Sequence, residues 1–342
     1  MELLLSNFAP ANITKESAKN YLESAIKNCH TLKIASGYVS SDALIELNRI
    51  IEINKRPRLE LLIGMHYFDG FTKSQYEAAC QLNTTLKSLD LGFVFISDFI
   101  KFHGKMYSFR MIDTSISAIV GSSNLGSLYN KVNRLYEADI LLNGIESSVV
   151  QQSIDSIITK LGSPIEEIKI DSFVRYNKLL ENHENVIKVD SEQKSEILAN
   201  KSSVVFNIPV KTEPKSNLNA FFGKGRVDKR GYEMPRPWYE AEIIVSKKIT
   251  DLPHYPCNQH FSVLTDDGWM FKCETNGDFS KNFRSKDDLK ILGKWIKGRL
   301  EDDGALKIGQ PVTKEVLQKY GRDNLTLSAT SNPDIWILDF SI

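Results

Sequence analysis

Over residues 1–163, three short apolar runs alternate with three helical stretches, and this alternation limits the fold more than any other feature. "LKIASGYVS" (32–40), "LELLIGMHY" (59–67) and "GFVFIS" (92–97) have the length and the β-branched or aromatic content of strands. Between them, 14–29, 40–54 and 72–89 carry apolar residues at helical spacing, with Thr14 and Ser40 or Ser41 as N-caps. Strands alternating with helices predict a sheet covered on both faces, an α/β layer. "KMYSFRM", "SAIVGSS" and "EADILLN" add three strands, and a helix follows with Val149, Val150, Ile154, Ile157, Ile158 and Leu161 on one side.

The texture then changes twice. From Pro164 to about Ser203 the chain is polar and reads as a partly helical connector. From Val204 onward, "SVVFNIPV", "WYEAEIIVS", "HFSVLT", "WMFKCET", "LTLSAT" and "IWILDF" are short strands punctuated by Gly, Asn, Asp and Pro. Helices over 287–301 and near "TKEVLQKY" interrupt them, so this part reads as a mostly-β barrel or pseudobarrel. A length of 342 residues suffices for two cores, and the expected division is 1–163, a connector 164–203, and 204–342.

Acidic and basic residues balance at 43 each, so attraction to a polyanion must come from local clustering. The four cysteines are too scattered for a disulfide framework. The opening "MELLLSNFAPAN" lacks the basic region of a signal peptide, and no apolar window is long enough to span a bilayer. The expectation is a soluble cytoplasmic protein without a membrane partner.

The segment "KFHGKMYSFRMIDTSISAIVGSSNLGSLYNKVNRLYEADILL" (101–142) places polar, reactive groups among strands. His103 and Lys105, two residues apart, lie on one strand face. A Gly121-Ser122-Ser123-Asn124 turn can return Ser122 and Asn124 beside them, and Glu137 opens the next strand. This set suits a phosphate. Lys105 and Asn124 can bind non-bridging oxygens, neutral His103 can attack phosphorus through Nε2, and Glu137 can accept from Nδ1. A lone H-x-K is often structural; the turn and the carboxylate raise its weight.

Other chemistries fit less well. His254, Cys257, His260 and Cys273 are zinc-type ligands, but not at a standard finger spacing. "EIK" (167–169) and "EQK" (192–194) match a metal-nuclease pattern but fall in the connector. There is no P-loop and no G-x-G-x-x-G, so the chain is not expected to hydrolyse nucleotides itself.

Two basic loops stand out in the second half. Residues 223–238 hold Lys224, Arg226, Lys229, Arg230 and Arg236. Residues 280–297 hold six basic side chains, and Lys281, Asn282 and Arg284 lie in the turn that opens them. Arg and Asn read base edges while Lys mainly meets phosphate. Either loop alone reads as a solvated surface; together, beside a nuclease-like half, they favour contact with double-stranded DNA.

The pattern "HGK…GSSN…E" resembles the phospholipase D superfamily signature, H-x-K followed by G-S-x-N and an acidic residue. The resemblance implies an α/β sandwich, a mixed sheet flanked by helices, that cleaves phosphodiesters through a phosphohistidine without metal or cofactor. By it, His103 is the nucleophile, Lys105, Ser122 and Asn124 hold the phosphate, and Glu137 orients the histidine. The fullest form of the motif has an aspartate five residues after the lysine, where this chain has Arg110, with Asp113 nearby. None of the other five histidines is followed at i+2 by lysine, so a second catalytic histidine must come from a second copy, in a homodimer through the nuclease half.

"GRVDKRGYEMPRPWYEAEI" and the closing strand-helix-strand pattern are similar to the B3-like pseudobarrel of some restriction endonucleases, with 223–236 and 276–286 as its two DNA-gripping arms. The whole order resembles the BfiI and NgoAVII group of restriction endonucleases. That implies a sequence-specific endonuclease subunit, with a cognate methyltransferase and a separate helicase or ATPase subunit as further partners. Two other classes stay open: a DNA-binding regulator on an inactive scaffold, and a lipid or small-diester hydrolase. The target sequence and cut position are not legible.

Overall fold

The computed structural model describes residues 1–6, 17–126, 135–174, 179–181 and 183–342. It divides into two compact units, one of Met1–Lys131, Leu135–Tyr176 and Arg226–Met234, the other containing Asn177–Gly225 and Pro235–Ile342.

The strands of the first unit are β1 (Glu2–Leu5), β2 (Cys29–Ser36), β3 (Arg58–Ile63), β4 (Gly92–Ile96), β5 (Lys105–Met111), β6 (Ile116–Gly121), β7 (Ala138–Asn143) and β8 (Ser163–Pro164). They form one eight-stranded mixed sheet in the order β1-β7-β6-β5-β2-β3-β4-β8. Only β2, β3 and β4 run parallel, each joined to the next through helices, as parallel neighbours require. The helices are α1 (Ala18–Asn28), α2 (Ser41–Asn54), α3 (His66–Asp69), α4 (Lys73–Ser88) and α5 (Ile145–Leu161). Ser17 and Ser40 cap α1 and α2; the expected cap at Thr14 lies outside the described residues.

Alternation along the strands sends Phe109 to one face, where Tyr21 of α1 meets it edge-on, and Ala35 and Ala118 to the other. On that second face Val150, Ile154 and Ile158 of α5 pack with Ala35, Leu62 and Ala118, the one-sided helix expected from the spacing. The apolar row continues past α5 through Met106 and Val120 to the cross-strand partners Ile140 and Leu3, which stay 40% and 42% exposed.

A small hairpin, β11 (Arg226–Val227) with β12 (Glu233–Met234), also belongs to this unit although its sequence lies far downstream. Tyr232 and Met234 are buried, and Arg56 sits over the Tyr232 ring. Asn54 exchanges two hydrogen bonds with the Glu233 backbone, donating at 2.8 Å and accepting at 3.0 Å.

The second unit contains β9 (Val186–Lys188), β10 (Lys201–Pro209), β13 (Ile243–Ile244), β14 (His260–Thr265), β15 (Trp269–Asn276), β16 (Asn282–Ser285), β17 (Asn324–Thr330) and β18 (Ile335–Asp339). Seven of them curl into one sheet, β10-β17-β18-β14-β15-β16-β13, and β9 also pairs with β15. Its helices are α6 (Ser191–Ala199), α7 (Lys247–Thr250), α8 (Lys290–Asp302) and α9 (Lys314–Tyr320). It is a mostly-β half-barrel built around α8.

The span 164–203, read as a partly helical connector, carries α6, and its ends are tied down: β8 pairs with β4, and β9 pairs with β15. One expectation changes here. "WYEAEIIVS" is not one long strand. Trp238 and Tyr239 instead turn inward and both donate to Glu301 of α8 at 2.8 Å, leaving only Ile243–Ile244 to pair with β16.

Candidate functional site

His103 sits not on a strand but in the loop just before β5, which starts at Lys105. Backbone hydrogen bonds lace that loop to the ends of β2 and β3: Gly37 N–H donates to Gly104 O at 2.9 Å and Phe102 N–H to Gly64 O at 3.1 Å. Gly64 is required by the close approach, because a Cβ there would lie 2.0 Å from Phe102 O.

The lysine nevertheless meets the histidine as the i, i+2 spacing predicts. Lys105 Nζ is 3.2 Å from His103 Nε2 and 3.4 Å from Nδ1, and it donates to His103 O at 2.9 Å. Lys105 is 8% exposed while His103 faces solvent. Burial holds the Lys105 ammonium below the usual lysine range, opposed by the nearby Glu137 charge.

The GSSN turn follows β6 and is held from below by a residue the sequence reading missed. Asp139 accepts from Ser123 N–H at 3.0 Å and from Ser123 Oγ at 2.6 Å. Gly121 leaves room for this, since a Cβ there would sit 2.3 Å from Asp139 Oδ1. Asn124 turns back over the end of β2, where its Oδ1 accepts from the Tyr38 N–H at 3.2 Å. The Tyr38 ring stands edge-on to His103 at 5.7 Å. His103 and Asn124 therefore both meet Tyr38, and Lys105 meets His103.

Ser122 and Glu137 are placed differently from the expectation. The Ser122 hydroxyl donates to Glu137 Oε2 and accepts from Ala138 N–H at 3.0 Å. Glu137 thus meets Ser122 rather than His103, because its residue, just ahead of β7, is pinned across to Ser6 (N–H to Ser6 Oγ, 2.9 Å). Burial pushes the Glu137 carboxyl up, and the Ser122 bond opposes that. Asp113 and Ser115 close the β5–β6 turn by hydrogen bonding to each other, away from this set.

Lys101, in the loop that carries His103, pairs with Asp69 at 2.9 Å. With an imidazole and a buried ammonium in contact, and a carboxamide held on Tyr38 beside that imidazole, the arrangement can hold an anionic tetrahedral group and present a ring nitrogen to it.

Comparison with known proteins assigns both halves. Residues 16–170 match the NgoFVII restriction endonuclease N-terminal PLD domain, and residues 196–331 match the NgoFVII C-terminal B3-like DNA-binding domain. The chain belongs to the NgoFVII family of restriction endonucleases. It is a DNA-cleaving hydrolase, with a nuclease domain of phospholipase D type followed by a B3-like DNA-binding domain. Among solved structures it is similar to Nuc from Salmonella typhimurium, a phospholipase D family member, at 10% identity and a TM-score of 0.32 over 48% of this chain and 97% of that one. Phosphatidylserine synthase from Haemophilus influenzae is similar at 14% identity and a TM-score of 0.34, covering 49% of this chain and 41% of that one. Among curated protein sequences, none matches the chain.

Within the NgoFVII-type chain the basic residues singled out for DNA part company. Lys224 is exposed in the second unit. Arg226, Lys229 and Arg230 stand exposed on the β11–β12 hairpin of the first unit, where Arg230 donates to Asn28 Oδ1 at 2.9 Å. Arg236 pairs with Glu240. In the other loop, Lys281 lies 3.6 Å from Asp278, and Asn282 donates to Asn276 Oδ1 at 3.2 Å. Arg284 is gripped by Glu274 at 2.8 Å and Glu242 at 3.3 Å.

The zinc-type residues do not gather. His260 faces Glu274 at 3.3 Å, Cys273 is buried in β15 and Cys257 is exposed. Among the described residues no three His, Cys, Asp or Glu side chains form a metal-binding group, and no helix is long and apolar enough to cross a membrane.

Proposed function

We propose that this chain is one subunit of a homodimeric, sequence-specific restriction endonuclease that cuts DNA through a phosphohistidine at His103, without a metal. In this reading 1–163 cleaves and 204–342 recognises double-stranded DNA, with a cognate methyltransferase and a separate ATPase subunit as partners in the cell. The observation that carries it is the Lys105 ammonium 3.2 Å from His103 Nε2, inside a domain of phospholipase D nuclease type.

The chemistry runs in two balanced steps. His103 Nε2 attacks phosphorus, an N–P bond forms, one P–O ester bond breaks, and the departing oxygen takes a proton from the protonated His103 of the second subunit. Water then attacks phosphorus and gives its proton to that now neutral histidine, and the N–P bond breaks. Lys105 and Asn124 neutralise and orient the phosphoryl oxygens. Ser122 acts through Glu137 by the contact described above, and Glu137 sets the field at Lys105. Support for a dimer is the apolar row ending at Ile140 and Leu3, which a second copy would cover.

His103→Ala should abolish cleavage, in buffer containing excess EDTA as well as without it, while DNA affinity and thermal unfolding stay at wild-type values. Cleavage by the variant, or a wild-type reaction that stops in EDTA, would sink this mechanism.

A further inference from the structure

Tyr38 lies two residues beyond the end of a central strand of the sheet: β2 ends at Ser36, and Gly37-Tyr38-Val39 leads to Ser40, the cap of α2. Its backbone is fixed on both sides. Ser36 Oγ donates to Tyr38 O at 2.8 Å and accepts from Leu125 N–H at 3.2 Å, and Val39 N–H donates to His66 Nε2 at 3.1 Å. A backbone N–H has only one direction in which to donate, so the bond from Tyr38 to Asn124 Oδ1 decides which end of that carboxamide faces the site. With its oxygen taken, Asn124 offers its NH2 to an anion.

The side chain is fixed as firmly. Its ring meets His66 edge-on at 5.3 Å and His103 edge-on at 5.7 Å. Its hydroxyl donates to Asp69 Oδ2, and Asp69 Oδ1 accepts from Lys101 Nζ at 2.9 Å. Lys101 belongs to the loop that carries His103, two residues earlier. The circuit therefore closes: β2 to Tyr38, to Asp69 on α3, to Lys101, and along the backbone to His103.

We infer that Tyr38 is a positioning residue for the cleavage reaction, holding the Asn124 amide by its backbone and the His103 ring by its side chain, with Asp69 and Lys101 as the brace. It touches no reacting atom. This rests on the role proposed for His103 and refines it: the imidazole, exposed to solvent, has a rotamer that is set by a neighbouring ring. Misplacement by about 1 Å can cost on the order of a hundredfold in rate.

The test is single-turnover cleavage, by full-length protein, of a plasmid that the wild-type enzyme cuts, with DNA affinity and thermal unfolding measured on the same preparations. Tyr38→Ala should slow cleavage about a hundredfold at unchanged affinity. Tyr38→Phe, which keeps the ring, should recover most of that rate. Asp69→Asn should match Tyr38→Phe, and the double variant should be no slower than either, because both open one circuit. These two milder variants serve if Tyr38→Ala does not fold. Wild-type rates in all of them, or losses that multiply in the double variant, would overturn the proposal. So would a slow rate tracked by weaker DNA binding and earlier unfolding. His103→Ala is run alongside: if it is inactive while the Tyr38 and Asp69 variants are normal, only the positioning role falls; if it still cuts, both readings fall.

Discussion

Arg284 has Nε 2.8 Å from Glu274 and Nη1 3.3 Å from Glu242, with the Glu274 side chain only 12% exposed. From β16 its guanidinium satisfies Glu274 of β15 and Glu242, just before β13. Arg226, on the hairpin, is exposed. The same residue type therefore stands in two situations that composition treats alike. Arg284→Ala should lower stability by about 1–3 kcal/mol by leaving Glu274 without its main partner, and it should weaken all DNA sequences alike. Arg226→Ala should leave stability within about 0.5 kcal/mol and cost about 1–3 kcal/mol of discrimination against particular base changes. Thermal melts and binding to cognate and competitor duplexes decide between these. A stable Arg284→Ala with relaxed specificity would return that side chain to base reading.

At the scale of elements, α8 shows why a run of basic residues is not by itself a DNA-binding face. Lys290, Lys294 and Lys297 are 4%, 4% and 0% exposed, so half of the cations counted in 280–297 lie in the core. Lys297 donates to Trp238 O at 2.6 Å and sits 3.9 Å from the Trp238 ring centre, and Glu301, one turn on, accepts from Trp238 and Tyr239. Burial pulls the Lys297 ammonium down to about 7 and pushes the Glu301 carboxyl up to about 7. For Glu301, the folded chain keeps a proton that the unfolded chain releases, so its contribution is complete below pH 4.5 and is lost as pH rises through about 7. For Lys297, the unfolded chain binds a proton that the folded chain does not, so stability rises from about pH 7 to 10.5. The stability of wild type relative to a Lys297→Met, Glu301→Gln double variant should therefore pass through a minimum near neutrality. Thermal unfolding of both between pH 5 and 10, roughly the span of the two shifts, checks this; parallel curves would place both groups at ordinary affinity.

At the scale of the whole molecule, the mechanism proposed above has each centre draw His103 from two chains, which subunit mixing tests. Subunits refolded from equal amounts of wild type and His103→Ala should assort at random, leaving about a quarter of the dimers with both histidines. Activity should then follow the square of the wild-type fraction. A linear fall, to about half at equal mixing with exchange verified, would show that each chain carries a self-sufficient centre.

What the sequence determined alone is what depends on near neighbours. Periodicity of 2 and of 3.6 marked the strands and helices of the first unit, and the Ser40 cap of α2 was legible for the same reason. Lys105 does meet His103, but His103 lies in the loop before β5, so the contact is made by the Lys105 side chain reaching back rather than by a shared strand face. The order of an H-x-K, a GSSN turn and an acidic residue carried the family. Everything that depended on distant partners was decided by tertiary structure. Glu137 meets Ser122 because Ser6 anchors its strand start, Tyr38 enters the site because Gly37 and Gly64 let the His103 loop lie across the ends of β2 and β3, and Lys297 is core because Trp238 folds back onto it. The hairpin carrying Arg226 and Arg230 joined the nuclease unit through Asn54 and Asn28. Such contacts join residues up to about two hundred positions apart, and no local pattern encodes which polar group will reach which, because that is settled by how the layers pack.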